Sequence, residues 1–249
     1  MKTRLKKKSP LTDDDLLELY TAFLKDVITM ASRTKADTIT LSYYSDKKDV
    51  SIDSILKNLN SNHPKKIITF PQVGDNFDTR FSYAVRKASE TTDGNIVIIG
   101  SDSPHLQPTV IDKAFDFLTE HSGLVLGPSE EGGVYLIGLQ SGTCIDFNGV
   151  FTDGVEIENL VKIAKEKKMH LRLLEEVTDI DTVQDLVTLI CKLNAMTYSS
   201  KFETVYLPEN TIEVVKKLGL QIVRSTGGIR GRKIKKRSFQ NPLTSYDVP

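Results

Sequence analysis

The positions of hydrophobic and polar residues along the chain follow two periods, one typical of helices and one typical of strands. Apolar residues recur at helical spacing over 16–28, and Thr12 with Asp15 forms a capping-box pattern ahead of them. The run 96–100 is apolar at every position and rich in β-branched residues, which is typical of a strand buried on both faces. We expect the next helix to begin at Pro108, because proline suits the first helical position.

Further elements follow in alternation. Strands are expected at 38–44, 66–70, 123–127, 133–139 and 170–174, and helices at 51–59, 77–90, 108–121, 153–168 and 182–196. This order predicts an α/β fold with a doubly wound, mainly parallel sheet and right-handed crossovers. Only 128–132 separates the two strands within 123–139, so we expect one antiparallel member there.

The chain after about residue 198 has a different organisation. A strand at 204–207, a helix at 209–218 and a strand at 219–223 predict a small βαβ extension. Six cations follow within 230–237, and the alternatives for this run are a solvated flexible tail or a surface that meets phosphates or nucleic acid. The predicted domains are therefore 1–198, a βαβ extension at 199–229 and a basic flexible tail at 230–249.

Composition narrows the class of protein. The 249 residues carry 33 basic and 33 acidic side chains, so the net charge of zero favours neither a nucleic-acid nor a membrane partner. Cys144 and Cys191 are too few for a disulfide framework and lack metal-ligand spacing. The sequence shows neither a signal peptide nor an apolar run of the roughly 18–20 residues that span a bilayer. These features predict a cytoplasmic protein with no membrane partner.

Candidate chemistry begins at Asp102, which follows the buried strand at 96–100. In open α/β sheets, ligands bind at the carboxyl ends of the strands. A carboxylate there is suited to hold a divalent cation against phosphate oxygens. The alternative is that Asp102 caps a turn, as aspartate often does.

Several loop motifs occur in an order that resembles the DUF2064 family, glycosyltransferase-like proteins of the GT-A nucleotide-diphospho-sugar transferase superfamily. Residues 1–5 match the end of its Val-Lys-Thr-Arg-Leu motif, and 72–80 resemble Gln-x-Gly-Asp-Leu-Gly-x-Arg with an irregular middle. Gly-Ser-Asp-x-Pro stands at 100–104, and Asp-Val-Asp-Thr is matched at 179–182. Gly-Pro-x-x-Asp-Gly-Gly-Tyr-Tyr-Leu-Ile-Gly is matched at 127–138, with Glu131 for aspartate and Val134 for the first tyrosine.

The resemblance implies a GT-A-like (Rossmann-like) three-layer sandwich that binds a nucleotide diphosphate or nucleoside triphosphate with Mg²⁺ or Mn²⁺. It also implies roles for individual residues. Nucleotide binding is implied for Lys2, Arg4, Gln72, Gly74, Asp75 and Ser101, donor or acceptor binding for Gly132, Gly133 and Tyr135, catalysis for Asp102 and Glu131, and metal binding for Asp102 and Asp181.

Each of these residues also has a simpler interpretation. Lys2 and Arg4 would neutralise phosphates, or they belong to a solvated tail. Asp181 is a metal ligand, or it caps the helix that begins near Thr182. The glycines permit close approach of a ligand, or they form plain turns. Glu130 and Glu131 are candidates for a general base, or they are exposed loop residues.

Two departures from the family bear on activity. The family's first strand and its glycine-containing loop are absent, so the chain starts inside the nucleotide-binding motif. We expect either a start codon assigned too late or a nucleotide site that lacks part of its cradle, with the central position of the sheet left empty. Glu131 in place of aspartate moves a carboxylate by about 1.5 Å, enough to disturb a fixed geometry.

Three hypotheses about function follow. The first is a metal-dependent transferase that moves a glycosyl group from a nucleotide-activated donor to a small-molecule acceptor. The second is a guanylyltransferase-like nucleotidyltransferase that releases pyrophosphate from a nucleoside triphosphate. The third is a degenerate nucleotide- or RNA-associated module, in which nucleic acid binds only through 230–237 and binding depends steeply on salt.

Overall fold

The computed structural model describes residues 3–6, 9–44, 52, 56, 65–224 and 231–236. Its helices are α1 Thr3–Lys6, α2 Asp13–Ser32, α3 Phe77–Ser89, α4 Pro108–Glu120, α5 Glu156–Glu166, α6 Val183–Ser199 and α7 Glu209–Lys217. Its strands are β1 Thr38–Tyr43, β2 Lys66–Pro71, β3 Ile96–Ile99, β4 Gly123–Pro128, β5 Val134–Leu139, β6 His170–Leu173, β7 Leu220–Arg224 and β8 Arg232–Lys236. The helix predicted at 51–59 lies outside the described residues except at Ile52 and Leu56.

The main sheet has four strands in the order β3-β5-β4-β6. β5 runs antiparallel to both of its neighbours, while β4 and β6 are parallel, which confirms the antiparallel member expected within 123–139. β1 and β2 form a separate parallel pair. The mixed sheets and their covering helices confirm the predicted α/β class.

β3 shows how the layers are built, because successive side chains of a strand point to opposite faces. Val97 and Ile99 pack in a core cluster with residues of α2 and α4. Ile98 packs in another cluster with residues of α3 and α5. The sheet therefore lies between two helical layers, as in a three-layer sandwich.

A gap separates the two parts of the central sheet. In the part of the chain that the structure describes, β1 pairs only with β2 and β3 pairs only with β5. A cavity of about 1540 Å³ lies between β1 and β3 and is lined by residues of both. The described residues thus leave a space between β1 and β3.

The segment after α6 differs from the predicted βαβ unit. Residues 204–207 do not form a strand. Within this segment, the backbone of Tyr206 is bonded by one side chain: Tyr206 N–H donates to Gln107 Oε1 at 2.9 Å, and Gln107 Nε2 donates to the Tyr206 carbonyl at 3.2 Å. Because this side chain satisfies the Tyr206 backbone groups, no strand partner is required.

The predicted flexible tail also needs correction over part of its length. Arg232–Lys236 forms β8, which pairs antiparallel with β7. Ile234 is buried in the core cluster that α2 and α6 share with α7, and Lys236 Nζ lies 2.8 Å from Asp15 Oδ2. One apolar residue at the centre of the basic run is thus enough to anchor a hairpin, while Lys233 and Lys235 remain exposed.

A buried carboxylate of α2 holds the start of α7 through hydrogen bonds. Asp26 of α2 is fully buried and accepts hydrogen bonds from the backbone N–H groups of Asn210 and Thr211 at 3.1 and 2.7 Å, and from Asn210 Nδ2 at 2.8 Å. Negative charge at the start of a helix is favourable, since the first N–H groups there lack helical partners. Asp26 therefore caps α7 from another element.

Among the described helices, none has the length and apolar composition that a membrane-spanning helix needs.

Candidate active site

Three aspartates meet beside the carboxyl end of β3. Asp102 follows β3, while Asp179 and Asp181 precede α6, and one carboxylate oxygen from each lies within 4.8 Å of those of the other two. All three residues are half-buried. Such a set of hard oxygen donors fits Mg²⁺ or Mn²⁺. Sequence analysis paired Asp102 with Asp181 but missed Asp179, whose place in the same short motif was the available signal.

Backbone contacts hold the two aspartate loops together. Ile180 N–H donates to the Asp102 carbonyl at 3.0 Å, and Ser103 Oγ donates to the Thr178 carbonyl at 3.3 Å. The Ile180 side chain is fully buried in the core shared by α2 and α6. Since Ile180 is fixed between Asp179 and Asp181, the core itself positions both carboxylates.

The start of α6 bears on the cap interpretation of Asp181. Thr182 is the N-cap, and it forms a capping box with Asp185. Asp185 also accepts from the backbone N–H groups of Asp181 and Thr182 at 3.0 and 2.6 Å. The Asp181 side chain does not cap the helix, so the geometry favours the ligand interpretation, and metal binding stays a prediction.

The Asp102 carboxylate folds back over Gly100. A Cβ atom added at Gly100 would lie 2.6 Å from Asp102 Oδ1, which is closer than non-bonded atoms approach. We expect Gly100→Ala to displace this carboxylate and to weaken Mn²⁺ binding about 10–100-fold, as changes next to metal ligands do. Isothermal titration with Mn²⁺ measures the change.

The control for this prediction is Gly94→Ala, at an exposed turn where the added Cβ would lie 3.1 Å from Thr92 Oγ1. It should leave Mn²⁺ affinity unchanged. Equal affinities in Gly100→Ala and wild type would show that Asp102 is not a ligand in the geometry described.

The loop between β4 and β5 borders the same cavity. Glu131 is exposed and has a φ of 57°, a left-handed conformation that is uncommon for residues other than glycine. Gly132 follows at a φ of 80°, and a Cβ there would lie 2.5 Å from Val155 Cγ1. The two glycines at 132 and 133 thus build a tight reversal against α5. Catalysis by Glu131 and ligand contact at Gly132 and Gly133 stay predictions.

Glu156 is a carboxylate that sequence analysis missed. It begins α5, lines the cavity and accepts a hydrogen bond from Val134 N–H at 3.1 Å. Burial raises the pKa of Glu156, and the negative charge of Asp179 raises it further. An acidic residue in the first turn of a helix is common, so nothing in the sequence distinguished this one.

Tyr135 was predicted to contact donor or acceptor. It is among the residues that line the cavity, but most of its side chain is packed in the core, and contact with a ligand stays a prediction. The ring is buried and crosses Gly127, where an added Cβ would lie 2.4 Å from the ring. Its hydroxyl donates to the Glu175 carbonyl at 2.9 Å, and burial raises the pKa of that hydroxyl. The tyrosine is therefore explained by packing between β4 and β5.

The predicted nucleotide-binding residues divide into two groups. Arg4, Gln72 and Ser101 line the cavity. Gly74 and Asp75 are not among its lining residues. A Cβ at Gly74 would lie 2.5 Å from Thr79 Oγ1, so close packing of this turn against α3 accounts for the glycine. Lys2 lies outside the described residues.

His105, in the loop that follows Asp102, carries a prediction about pH. It is buried, and Lys192 Nζ lies 3.3 Å from its Nε2 atom. Burial, with a smaller effect of Lys192, lowers the pKa of His105 from 6.5 to about 4. The folded protein therefore holds this imidazole neutral, whereas the unfolded chain binds a proton below about pH 6.5.

The difference in the pKa of His105 between the folded and unfolded protein makes the free energy of unfolding depend on pH. The folded protein has its full stability above about pH 6.5, and part of it is lost as the pH falls from 6.5 toward 4. The free energy of unfolding should be about 2 kcal/mol lower at pH 5 than at pH 7 because of His105. His105→Gln should remove that part of the pH dependence. Urea unfolding of both proteins at the two pH values is the measurement, and identical pH dependence in both would contradict the assignment.

Comparison with known proteins agrees with the Rossmann-like α/β architecture of the described residues. The model of the DUF2064 family, described as uncharacterized proteins conserved in bacteria, matches residues 29–153. The chain belongs to this family. No curated protein matches the sequence.

Among solved structures, the chain is similar to a candidate nucleotide-diphospho-sugar transferase from Desulfovibrio desulfuricans G20. The TM-score is 0.69 with 23% identity, and the match covers 87% of this chain and 91% of that chain. Weaker similarities are to 4-diphosphocytidyl-2C-methyl-D-erythritol synthase, with a TM-score of 0.49, 13% identity and coverage of 69% and 88%. A further similarity is to a protein from Mycobacterium sp. strain JC1 that is a homologue of a Mycobacterium tuberculosis protein. Its TM-score is 0.47 with 16% identity, and the match covers 76% of this chain and 90% of that chain. The first similarity shows that the two chains share a fold, whereas the TM-scores of the other two are too low to show this.

Proposed function

We propose that the protein is a metal-dependent transferase that uses a nucleotide-activated donor, and that the group it transfers is a sugar. The cluster of Asp102, Asp179 and Asp181 at the mouth of a large cavity is the observation that carries this proposal. The fold is shared with a candidate nucleotide-diphospho-sugar transferase, which supports the same class of donor.

The charge distribution around the cluster suits a diphosphate. The three aspartates would hold Mg²⁺ or Mn²⁺, which supplies positive charge to a leaving diphosphate when bound. Arg4 lines the same cavity and offers a planar set of donors to phosphate oxygens. The Ser101 hydroxyl, next to Asp102 and exposed, adds a neutral donor.

Two carboxylates border the cavity as candidates for the base that accepts a proton from an acceptor. Glu131 is exposed, whereas Glu156 is half-buried with a raised pKa. A base is most effective when its pKa approaches the working pH, so the environment of Glu156 favours it over Glu131. Glu156→Gln should therefore lower the rate of transfer more than Glu131→Gln, by a factor of about 100 if proton transfer limits the rate.

Identification of the leaving group tests the proposal. The protein is incubated with Mn²⁺, a panel of nucleoside diphosphate sugars or nucleoside triphosphates, and mixed small acceptors, and the released phosphates are separated by chromatography. Release of a nucleoside diphosphate from a sugar donor, absent with Asp102→Asn, is the expected result. Release of pyrophosphate from a nucleoside triphosphate would show nucleotidyl transfer instead of sugar transfer. If neither a nucleoside diphosphate nor pyrophosphate is released, both reactions are contradicted.

A further inference from the structure

The hairpin of β7 and β8 carries a group of cations that the proposed reaction does not use. Arg232, Lys233 and Lys235 are exposed on β8, and Arg224 is exposed on β7. In the part of the chain that the structure describes, none of these side chains forms an ion pair, whereas the neighbouring Lys236 does. The hairpin therefore presents positive charge that no described carboxylate neutralises.

The two faces of the hairpin differ, because successive side chains of a strand point to opposite faces. Ile234 is buried, and Ile222 opposite it on β7 packs against the same core cluster, so this face lies against the helices. Lys233 and Lys235 lie on the other face, about 7 Å apart along the strand. The residues opposite them on β7 carry no charge. The outer face of the hairpin thus has cations and no anion.

Two arginines meet at the end of the hairpin. Arg224 and Arg232 are directly opposite each other in the strand register. Like charges at directly opposed positions destabilise a pair of strands. An anion bound from outside would offset this repulsion, so the arginine pair indicates an anionic partner for the hairpin.

The hairpin holds these charges on a fixed backbone. Leu220 and Ile234 are buried in the core cluster that includes residues of α2 and α6. Lys236 Nζ lies 2.8 Å from both carboxylate oxygens of Asp15, near the start of α2. Because the strands are ordered before any partner arrives, binding loses less conformational entropy than it would in a flexible tail.

The same contacts attach the hairpin close to the acidic cluster. Asp15 and Tyr20 are five residues apart on α2, which is about 7.5 Å along a helix. The Tyr20 hydroxyl lies 3.5 Å from the carbonyl of Ile180, the residue between Asp179 and Asp181. A surface that binds the hairpin therefore also keeps the acidic cluster near that surface.

The shape of the hairpin favours a planar anionic surface over nucleic acid. A two-stranded ribbon reads DNA by entering the major groove, but the inner face of this ribbon is packed against helices. Single-stranded nucleic acids stack their bases on aromatic side chains, and neither β7 nor β8 contains one. Anionic lipid headgroups require only cations on an accessible face.

The zero net charge of the whole chain does not oppose this choice. A bilayer contacts only the face that is turned toward it. At physiological salt, charges farther away than about 8 Å are largely screened. The local charge of the hairpin therefore matters more than the charge of the molecule.

We propose that the β7–β8 hairpin binds the surface of an anionic phospholipid bilayer through Lys233, Lys235 and the pair Arg224 and Arg232. The outer face has no large apolar side chain to enter the hydrocarbon, so the attraction is electrostatic and reversible. Each cation near such a surface raises the affinity by a factor of about five. This binding does not depend on which reaction the acidic cluster performs.

Sedimentation with vesicles tests this proposal. The full chain is mixed with vesicles of phosphatidylcholine that contain about one third phosphatidylserine, or with vesicles of phosphatidylcholine alone. The wild type should sediment only with the anionic vesicles, and the double variant Lys233→Gln/Lys235→Gln should bind them about 25-fold more weakly. Salt at about 1 M, where the Debye length is about 3 Å, should release the wild type.

The matched control is the double variant Lys162→Gln/Lys165→Gln on α5, which changes the net charge equally at exposed positions. It should keep the affinity of the wild type, and all three proteins should have the same Tm because the exchanged lysines are exposed.

Three results would overturn the proposal. The first is that the wild type does not bind anionic vesicles. The second is that Lys233→Gln/Lys235→Gln binds them as the wild type does, or loses no more affinity than the control variant. The third is that the wild type binds a DNA duplex at an ionic strength at which it does not bind vesicles, because nucleic acid would then be the partner.

Discussion

Replacing Asp102 with asparagine is expected to abolish the stabilisation of the protein by Mn²⁺. A ligand present at about 100 times its dissociation constant adds about 2.7 kcal/mol of stability. For a chain of this size, that corresponds to a rise in Tm of about 5–10 °C. The wild type should show this rise in a thermal-shift assay, and Asp102→Asn should not, because it removes one of three clustered carboxylates.

A control variant shows whether the Mn²⁺ effect belongs to the acidic cluster or to the cavity as a whole. Asp37→Asn is the matched control: Asp37 is exposed and lines the same cavity but is not in the cluster. It should keep the full Mn²⁺ effect, and an equal rise in Asp102→Asn would disprove the cation site.

The second large effect is expected at Asp26. Replacement by alanine removes the acceptor of three hydrogen bonds at the start of α7. It leaves the buried N–H group of Thr211 and two half-buried donors of Asn210 without this partner. Each unsatisfied buried donor costs about 1–3 kcal/mol, so we expect a total loss of about 3–5 kcal/mol in the free energy of unfolding. Urea unfolding measures this loss.

The variant Asp26→Asn distinguishes the contribution of the negative charge to the free energy of unfolding from that of the hydrogen bonds. Burial raises the pKa of Asp26, while its bonds to Thr211 and Asn210 oppose that shift. Asparagine keeps one acceptor oxygen without the cost of a buried charge, so its loss of stability should be well below that of alanine. If Asp26→Ala lowers the free energy of unfolding by less than about 1 kcal/mol, the hydrogen bonds of Asp26 do not hold α7 against α2.

Local signals in the sequence were sufficient for the described elements from α2 to α6 and for their order. The capping boxes at Thr12 and Thr182 depend on contacts within four residues, so the sequence specifies both helix starts directly. The apolar run at β3 and the short spacing between β4 and β5 likewise predicted a central strand and its antiparallel neighbour.

Features that depend on distant residues could not be predicted in this way. Residues 204–207 have a strand-like composition, but the backbone groups of Tyr206 are bonded by Gln107, 99 positions away in the sequence. Tyr135 lies in a motif that implies ligand contact, and only the folded chain shows that its ring also packs over Gly127 in the core. Glu156 became a candidate only because folding brought it near Asp179.

The central claim is that a nucleotide diphosphate binds at the three aspartates together with a divalent cation. It is tested most directly by a thermal-shift panel of nucleotides and nucleotide sugars, each with and without Mn²⁺, on the wild type and Asp102→Asn. At least one nucleotide diphosphate or nucleotide sugar should raise the Tm of the wild type only when Mn²⁺ is present, with no such rise in the variant. If no ligand shifts the wild type more than it shifts Asp102→Asn, the claim is contradicted.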